Sequence, residues 1–592
     1  MFRSLLIGPS GLAVLVTLAN AVKPVLIDDT AYLTYARHIA QHPLDPYGFD
    51  IYWYSGYDSA LTVLCPPVVP YWLALGIRLF GEHVFLLKLW LFPFVWLLAW
   101  SLAGLLRRFA RGTERLALPL IMLSPTVLPG VNLMLDIPAL ALGFAALRVF
   151  TIAADRHSWW LAAASGVLAA LAMQTKYTML LVPVVLAWYG LTHRSIRLSL
   201  LSLAVAAAGF AGWEAAVSLK YGQSHFLYHL HESNAGRPGT LTDYLDQKAE
   251  LVAPLVAHLG CLAVGFGLFA GRAIGFPRWV VLAAAVLWVA GAITIAVLPY
   301  HSAVLIRGKE PWQEKLTIPA TVWRSAGTAD LITAAGCAAV LLVRWSKSPG
   351  LRKNPDSLFL VGWVLLELGG YFPLTPFPAA RRVFGVSLAL GLLAARAVSR
   401  VSRARPDRRV PRWVVPFGIA AGVLVAALDT FDAFPEKVLA ERAAEVVADR
   451  PPDSTVWFAG HWGFQHYCER AGMKPAIAGQ TLVAPGDYLA WPVFPDADRF
   501  HRPDSSHTPP PPPPWVAEPV VEFVWDDWLS ARTIPNFYGG VEPVVGRDHP
   551  RLRVVVYRMT RPWLVGDMEP PPWMIGGGPH QRPLDILRGR EP

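Results

Sequence analysis

Apolar stretches of about 17 to 22 residues recur along most of this chain, and many of them end in a cluster of arginines. At about 1.5 Å of rise per residue, a helix of that length approaches the thickness of a bilayer's hydrocarbon core, roughly 30 Å. Inside a membrane the backbone must satisfy its own hydrogen bonds, which leaves helices or a closed barrel. Continuous apolar runs without alternation select helices. The composition agrees: 54% of the 592 residues are hydrophobic and 16% are charged, against roughly 25% charged in a soluble domain. A single soluble globule is excluded.

The net charge is +10, which in a soluble protein would suggest nucleic acid. Here the arginines form short blocks between apolar stretches, where they set topology, so no nucleic-acid partner is expected. Spans are expected at 4–22, 84–106, 116–134, 137–153, 159–174, 177–191, 198–219, 251–270, 279–298, 329–345, 357–371, 383–399 and 413–429. That is about 13 transmembrane helices. Phe2-Arg3 followed by Ser4 to Val22, with Ala19-Asn20-Ala21 at its end, also has the form of a cleavable signal peptide. The charge tally favours an uncleaved first span: with the N-terminus inside, about 20 basic residues face about four acids (Glu114, Asp155, Asp356, Asp407) on the inner side. The tally holds only if Pro66–Phe80 does not cross, and its early prolines and short length suit an interfacial helix.

The outer side then collects the longer segments 23–83, 220–250, 299–328 and 371–382, the turns near Asp136 and Lys176, and everything after about 430. Two parts are expected: a transmembrane domain, 1–430, and a small exported α/β domain, 431–592. In the latter, Glu436–Ala448 and Gly463–Ala471 read as helical, and Thr455–Ala459, Pro519–Trp525 and Leu552–Arg558 as extended. Pro509–Pro514 reads as a polyproline spacer. Cys65, Cys261, Cys337 and Cys468 show no CxxC spacing, and His461, His466 and Cys468 do not match helical zinc pairs; neither a disulfide framework nor a metal site is expected. Gly460 to Tyr467 reads instead as a strand-to-helix turn around a small aromatic core, and the histidine-rich segment 220–250 as a solvated outer loop.

The sharpest constellation is Asp28-Asp29 at the outer end of the first span, followed by an amphipathic helix through Tyr32, Tyr35 and Ala36. An acid at this point serves a helix N-terminus as well as it serves chemistry, and both readings stand on the segment alone.

With its neighbours, the pair resembles the GT-C membrane glycosyltransferases, in particular glycosyltransferase family 39 and its relatives, the protein O-mannosyltransferases and lipid A aminoarabinose transferases. The motifs run in order: Asp28-Asp29; Pro66-Pro67 through Leu79-Phe80-Gly81; Ser124-Pro125; Asp136-Ile137-Pro138; Gln174-Thr175-Lys176-Tyr177; and the arginine-bearing segment Tyr371 to Arg382. Departures are Cys65 where relatives often carry Lys before the proline pair, Tyr177 in place of Gly after the lysine, and Arg381-Arg382 where relatives commonly show Arg-Tyr.

The resemblance implies a GT-C fold and transfer of a sugar from a polyprenyl-phosphate donor to an acceptor hydroxyl on the exported side of the cytoplasmic membrane. The acceptor class, whether lipid, polysaccharide or protein, is open, as is metal dependence; no cofactor is implied beyond the lipid-linked donor. Asp28 and Asp29 are the candidate catalytic acids, one as general base. Asp136, Lys176, Arg381 and Arg382 are candidate substrate contacts, the cations because a phosphate leaving group needs electrostatic clamping more than protonation. Asp136 also suits a helix cap, and Lys176 suits snorkelling to headgroups. The rival from another class is a transporter or flippase of lipid-linked sugar. Ionisable residues at span ends, few midspan charges and no pair of similar halves favour the transferase. A catalytically silent relative that only binds the lipid-linked sugar remains open, because the acid pair would still cap a helix.

Overall fold

The computed structural model describes residues 8–53, 56–235, 240–298, 304–306, 316–347, 355–493, 510–534, 536–547 and 549–568. Arg3, Arg352, Lys353 and the start of the first expected span lie outside them. Among the described residues eight helices are long and apolar enough to cross a membrane, or nine if one bent pair counts as a single span. They are Val84–Phe109 (with a short break), Asp136–Arg156, Ile196–Tyr221, Arg278–Val297, Ile318–Lys347, Asp356–Leu374, Ala380–Ala404 and Val414–Val446. Pro9–Ala21, Val68–Phe80, Trp159–Met173 and Tyr177–Thr192 are apolar but shorter. The chain is thus a polytopic helical membrane protein with a strand-containing C-terminal part.

Two expected spans differ in kind. The stretch 116–134 is helical only over Glu114–Met122 and continues as buried turns, because Pro125, Pro129 and Gly130 interrupt it. Non-helical backbone at such depth needs partners within the protein. Asn20 Nδ2 donates to the Leu128 carbonyl at 2.7 Å and Lys23 Nζ to the Pro129 carbonyl at 2.8 Å. The stretch 251–270 breaks at Ala263, where Thr242–Leu262 and Val264–Ile274 meet at 82°. Its first arm lies very close to Ile318–Lys347: a Cβ on Gly260 would stand 2.0 Å from the Trp323 carbonyl oxygen, and one on Gly327 1.8 Å from that of Val256. Small residues allow helix backbones this approach.

The segment 220–250 is helical where a loop was expected, although most of its described residues are exposed. It forms helices His225–Ala235 and Leu241–Ala249, and the His225 ring is fully buried, stacked on Tyr47 at 4.9 Å. Burial holds its imidazole down to about 4, so it is neutral. Of the three histidines in this segment, His225 belongs to the aromatic core, His229 is half-buried and His231 is exposed.

Val414–Val446 is one continuous helix, so the expected border at 430/431 falls inside it. Its end anchors the C-terminal part: Asp432 Oδ2 accepts from the Thr533 and Ile534 amides at 2.6 and 2.8 Å, and Glu436 Oε2 from the Phe464 amide at 3.1 Å. That part is built on a five-stranded mixed sheet in the order Lys474–Pro475, Val456–Phe458, Tyr488–Val493, Leu552–Met559, Ala517–Trp525. The first three strands are parallel and the last two antiparallel to their neighbours. Helix Trp462–Arg470 packs on the turn that carries the acid pair. The Tyr467 hydroxyl accepts from the Val25 amide at 2.9 Å, Thr30 Oγ1 donates to the Trp462 carbonyl at 2.6 Å, and a Cβ on Gly463 would lie 2.4 Å from the Val25 carbonyl oxygen.

Candidate active site

Asp28 and Asp29 point to different places. Ile27, immediately before them, sits at φ +45°, a conformation costly for a β-branched residue, at roughly 1–3 kcal/mol. The packing of Val25, Leu26 and Ile27, all buried, holds the turn in place. Asp28 occupies the N-cap position of helix Asp29–Gln41, yet its side chain makes no cap hydrogen bond. It accepts instead from Arg381 Nη1 at 2.5 Å, across 353 residues of sequence. Asp29 is fully buried, with its carboxylate 3.9 Å from Lys88 Nζ. Lys88 also donates to the Lys23 and Pro24 carbonyls at 2.6 and 3.0 Å, which staples the turn to the Val84–Phe109 helices. Burial pushes the Asp29 carboxyl above the usual carboxylate range against the pull of Lys88 and Lys23.

A second pair stands beside the first. Asp136 lies in the first turn of helix Asp136–Arg156, and its carboxylate is ion-paired with Lys176, which precedes a short turn of helix at Tyr177–Leu180. The Lys176 side chain is only 14% exposed, so it is turned inward and does not snorkel to headgroups. No residue from 174 to 177 has a positive φ, so Tyr177 needs none of glycine's freedom; its hydroxyl meets His225 Nδ1 at 2.5 Å and Glu214 at 3.3 Å.

Arg381 and Arg382 lie on the short turn Ala380–Val383 that leads into helix Phe384–Ala404. Both line a cleft together with Asp136, Lys176, Glu367 and Tyr371. The Arg382 guanidinium stands 4.9 Å from the centre of the Phe377 ring, and its Nε makes no hydrogen bond among the described residues. Arg381 is held from the far side: its Nε donates to the Tyr538 carbonyl at 3.1 Å. The Tyr538 hydroxyl in turn donates to Asp429 Oδ2 at 2.8 Å, which also accepts from Lys23 Nζ at 2.7 Å.

Four of the six candidates therefore line or pair within one cleft, Asp28 joins it through Arg381, and Asp29 lies behind it in the supporting network. Two contributors escaped the sequence reading. Glu367, whose Oε1 accepts from Trp363 Nε1 at 3.0 Å, sits within a span, and an ionisable residue in that setting is itself a functional signal. Half-buried Glu367, with Glu214 and Asp330, which are buried in other spans, corrects the expectation that midspan positions are nearly uncharged. Tyr538 carries no such signal, because it acts through its carbonyl from 157 residues away.

Residues 65–213 match the family model described as dolichyl-phosphate-mannose-protein mannosyltransferase. The matched stretch contains the Pro66-Pro67, Ser124-Pro125, Asp136 and Lys176 motifs, so the resemblance to GT-C glycosyltransferases is borne out. No curated protein sequence matches the chain. Among solved structures, the oligosaccharyltransferase AglB of Archaeoglobus fulgidus, in complex with an inhibitory peptide and a dolichol-phosphate, is similar with a TM-score of 0.44 and 13% identity, over 78% of this chain and 64% of that one. The chain thus spans just under two thirds of the length of that archaeal protein. ArnT of Cupriavidus metallidurans is similar at 16% identity over 92% of this chain and 96% of that one, with TM-scores of 0.41 in the apo state and 0.39 bound to undecaprenyl phosphate.

Proposed function

We propose that the protein is a membrane glycosyltransferase that moves a sugar from a polyprenyl-phosphate donor to an acceptor hydroxyl, with inversion, on the exported side of the cytoplasmic membrane. The observation that carries this reading is the charge of the cleft. Lys176 is ion-paired with Asp136 and Arg381 with Asp28, whereas the Arg382 guanidinium has no carboxylate within ion-pair distance among the described residues. A sugar phosphodiester brings one negative charge, which that guanidinium can meet. Arg381 uses Nη1 and Nε on Asp28 and Tyr538, which leaves Nη2 for phosphate; Lys176 Nζ has donors beyond its bond to Asp136.

The step balances on these residues. Asp28 takes the acceptor hydroxyl proton, the oxygen attacks the anomeric carbon from the face opposite the phosphate, and the anomeric carbon–oxygen bond breaks with its electron pair going to polyprenyl phosphate. Asp28 becomes neutral as the phosphate gains its second charge, so the net charge of the cluster and its donor does not change in the step. Direct displacement with a single base inverts the anomeric centre; retention would require a second carboxylate acting as a nucleophile.

Two expected results follow here. Burial, aided by the charges of Arg382 and Arg381, holds the Lys176 ammonium down to about 8 despite Asp136. As pH rises through that value lysine loses its charge, so donor affinity should fall above pH 8 in the parent and stay level in Lys176→Arg; titrating polyprenyl-phosphate binding from pH 7 to 10 reads this, and a flat parent profile counts against Lys176 as a phosphate contact. For sidedness, reporter fusions after Gly112 and after Arg405 should read as cytoplasmic and one after Arg450 as exported. An exported signal at Arg405 would remove the exported-face assignment. The direct test of function is transfer from a panel of polyprenyl-phosphate sugars by the purified protein; absence of transfer from every donor, with donor binding intact, would favour a silent relative.

A further inference from the structure

At the other end of the Phe384–Ala404 helix lies a second cavity, of about 290 Å³, to which the transfer reaction gives no task. Arg400 is 18 residues beyond Arg382, about 27 Å along the helix axis, so the two sites stand close to a hydrocarbon thickness apart. Three helix ends enclose the second one. Helix Phe384–Ala404 contributes Arg396, Arg400 and Arg403, whose spacing of four and three places them on one face. Ile318–Lys347 contributes Arg344 and Trp345, and Asp356–Leu374 contributes Ser357.

We propose that this cavity binds the phosphate headgroup of an anionic membrane phospholipid on the cytoplasmic side. The acid budget leaves the charge open. Asp356 is engaged by Arg396 at 3.3 Å, by His193 at 3.0 Å and by Arg108 at 3.9 Å. No carboxylate among the described residues lies within ion-pair distance of Arg344, Arg400 or Arg403. Arg344 Nη1 donates to the Arg400 carbonyl at 2.9 Å, and Arg403 to that of Arg111, so two guanidiniums are fixed in place by backbone, and neither is ion-paired with a carboxylate among the described residues. The Trp345 indole Nε1 is buried in the same region and makes no hydrogen bond among the described residues. An indole donor at this level suits the headgroup boundary, where tryptophan presents an apolar ring and one N–H. Arginines that only set topology need exposure and charge; these converge on a concave site with an unpartnered donor. Basic pockets between helix ends take phosphate headgroups through the same pairing. The proposal uses none of the cleft residues, so it stands or falls apart from the transferase reading, sharing with it only the orientation.

The test uses the full-length protein in nanodiscs of phosphatidylcholine containing a minority of phosphatidylglycerol, released into native mass spectrometry to count retained lipid. The parent should retain phosphatidylglycerol over phosphatidylcholine, and inorganic phosphate should not displace it. Each arginine contributes about fivefold to the preference, so Arg344→Gln with Arg400→Gln should reduce it roughly twenty- to thirtyfold. Arg403→Gln, at an exposed position, gives a fivefold drop to measure if the double variant does not fold. Equal retention of the two lipids, or a preference untouched by the arginine variants, overturns the site. Displacement by inorganic phosphate overturns the assignment to a lipid.

Discussion

Asp28→Asn is expected to fold, insert and bind the polyprenyl-phosphate donor, and to lose transfer by about two to four powers of ten, the range for removal of a general base. Asparagine keeps the size of the side chain, and its carbonyl oxygen can still accept from Arg381 Nη1, which lies 2.5 Å from the carboxylate in the parent. What disappears is the capacity to take a proton. The neighbouring Asp29→Asn variant separates chemistry from architecture. Asp29 is fully buried 3.9 Å from Lys88, outside the cleft, so its loss should cost stability on the order of 1–3 kcal/mol and leave most of the transfer rate. Single-turnover transfer and thermal unfolding, measured side by side on the two variants, read the contrast. Near-parent transfer by Asp28→Asn would move the base to Asp136; a larger catalytic loss from Asp29 than from Asp28 would reverse the roles.

Arg381→Ala is expected to weaken donor binding tenfold to a hundredfold, the loss of about 1.5–3 kcal/mol carried by one charge-assisted hydrogen bond. It should slow the chemical step as well, because Arg381 also fixes Asp28 while Tyr538 fixes Arg381. Arg381→Lys should recover only part of the binding, since an ammonium cannot reach Asp28, Tyr538 and phosphate with the geometry of a guanidinium fork. Equilibrium binding of polyprenyl phosphate, followed by rates at saturating donor, distinguishes the two effects. If the double variant Arg381→Ala/Arg382→Ala bound the lipid phosphate as the parent does, Lys176 alone would have to carry the clamp.

The helices were legible because apolar length is a strong signal and because arginine blocks punctuate it. Breaks inside the spans were less so: Ala263 carries no helix-breaking side chain, and the kink there arises where Gly260 and Gly327 bring two helices together. In the C-terminal part the strands Val456–Phe458, Ala517–Trp525 and Leu552–Met559 follow their β-branched and aromatic runs, whereas Tyr488–Val493, with Pro492 inside it, hides its place beside Leu552–Met559. Asp28, Asp136, Lys176, Arg381 and Arg382 were each visible as charges where the apolar pattern gives no reason for one. Their pairing was not, since Asp28 meets Arg381 across 353 residues and Lys176 meets Asp136 across 40. Tyr538 and the Lys23–Asp429 pair behind Arg381 were illegible for the same reason: a backbone carbonyl and a buried ion pair leave no pattern in sequence.

The central claim is that this cleft holds the donor phosphate, and the most direct measurement is a density map of the protein with polyprenyl phosphate bound. The phosphate is expected between Lys176 and the Arg381-Arg382 pair, within hydrogen-bonding reach of at least two of the three, with Asp28 on the side from which an acceptor hydroxyl approaches. A phosphate seated away from all three cations, or held only by the arginines at the far end of the Phe384–Ala404 helix, would contradict the account.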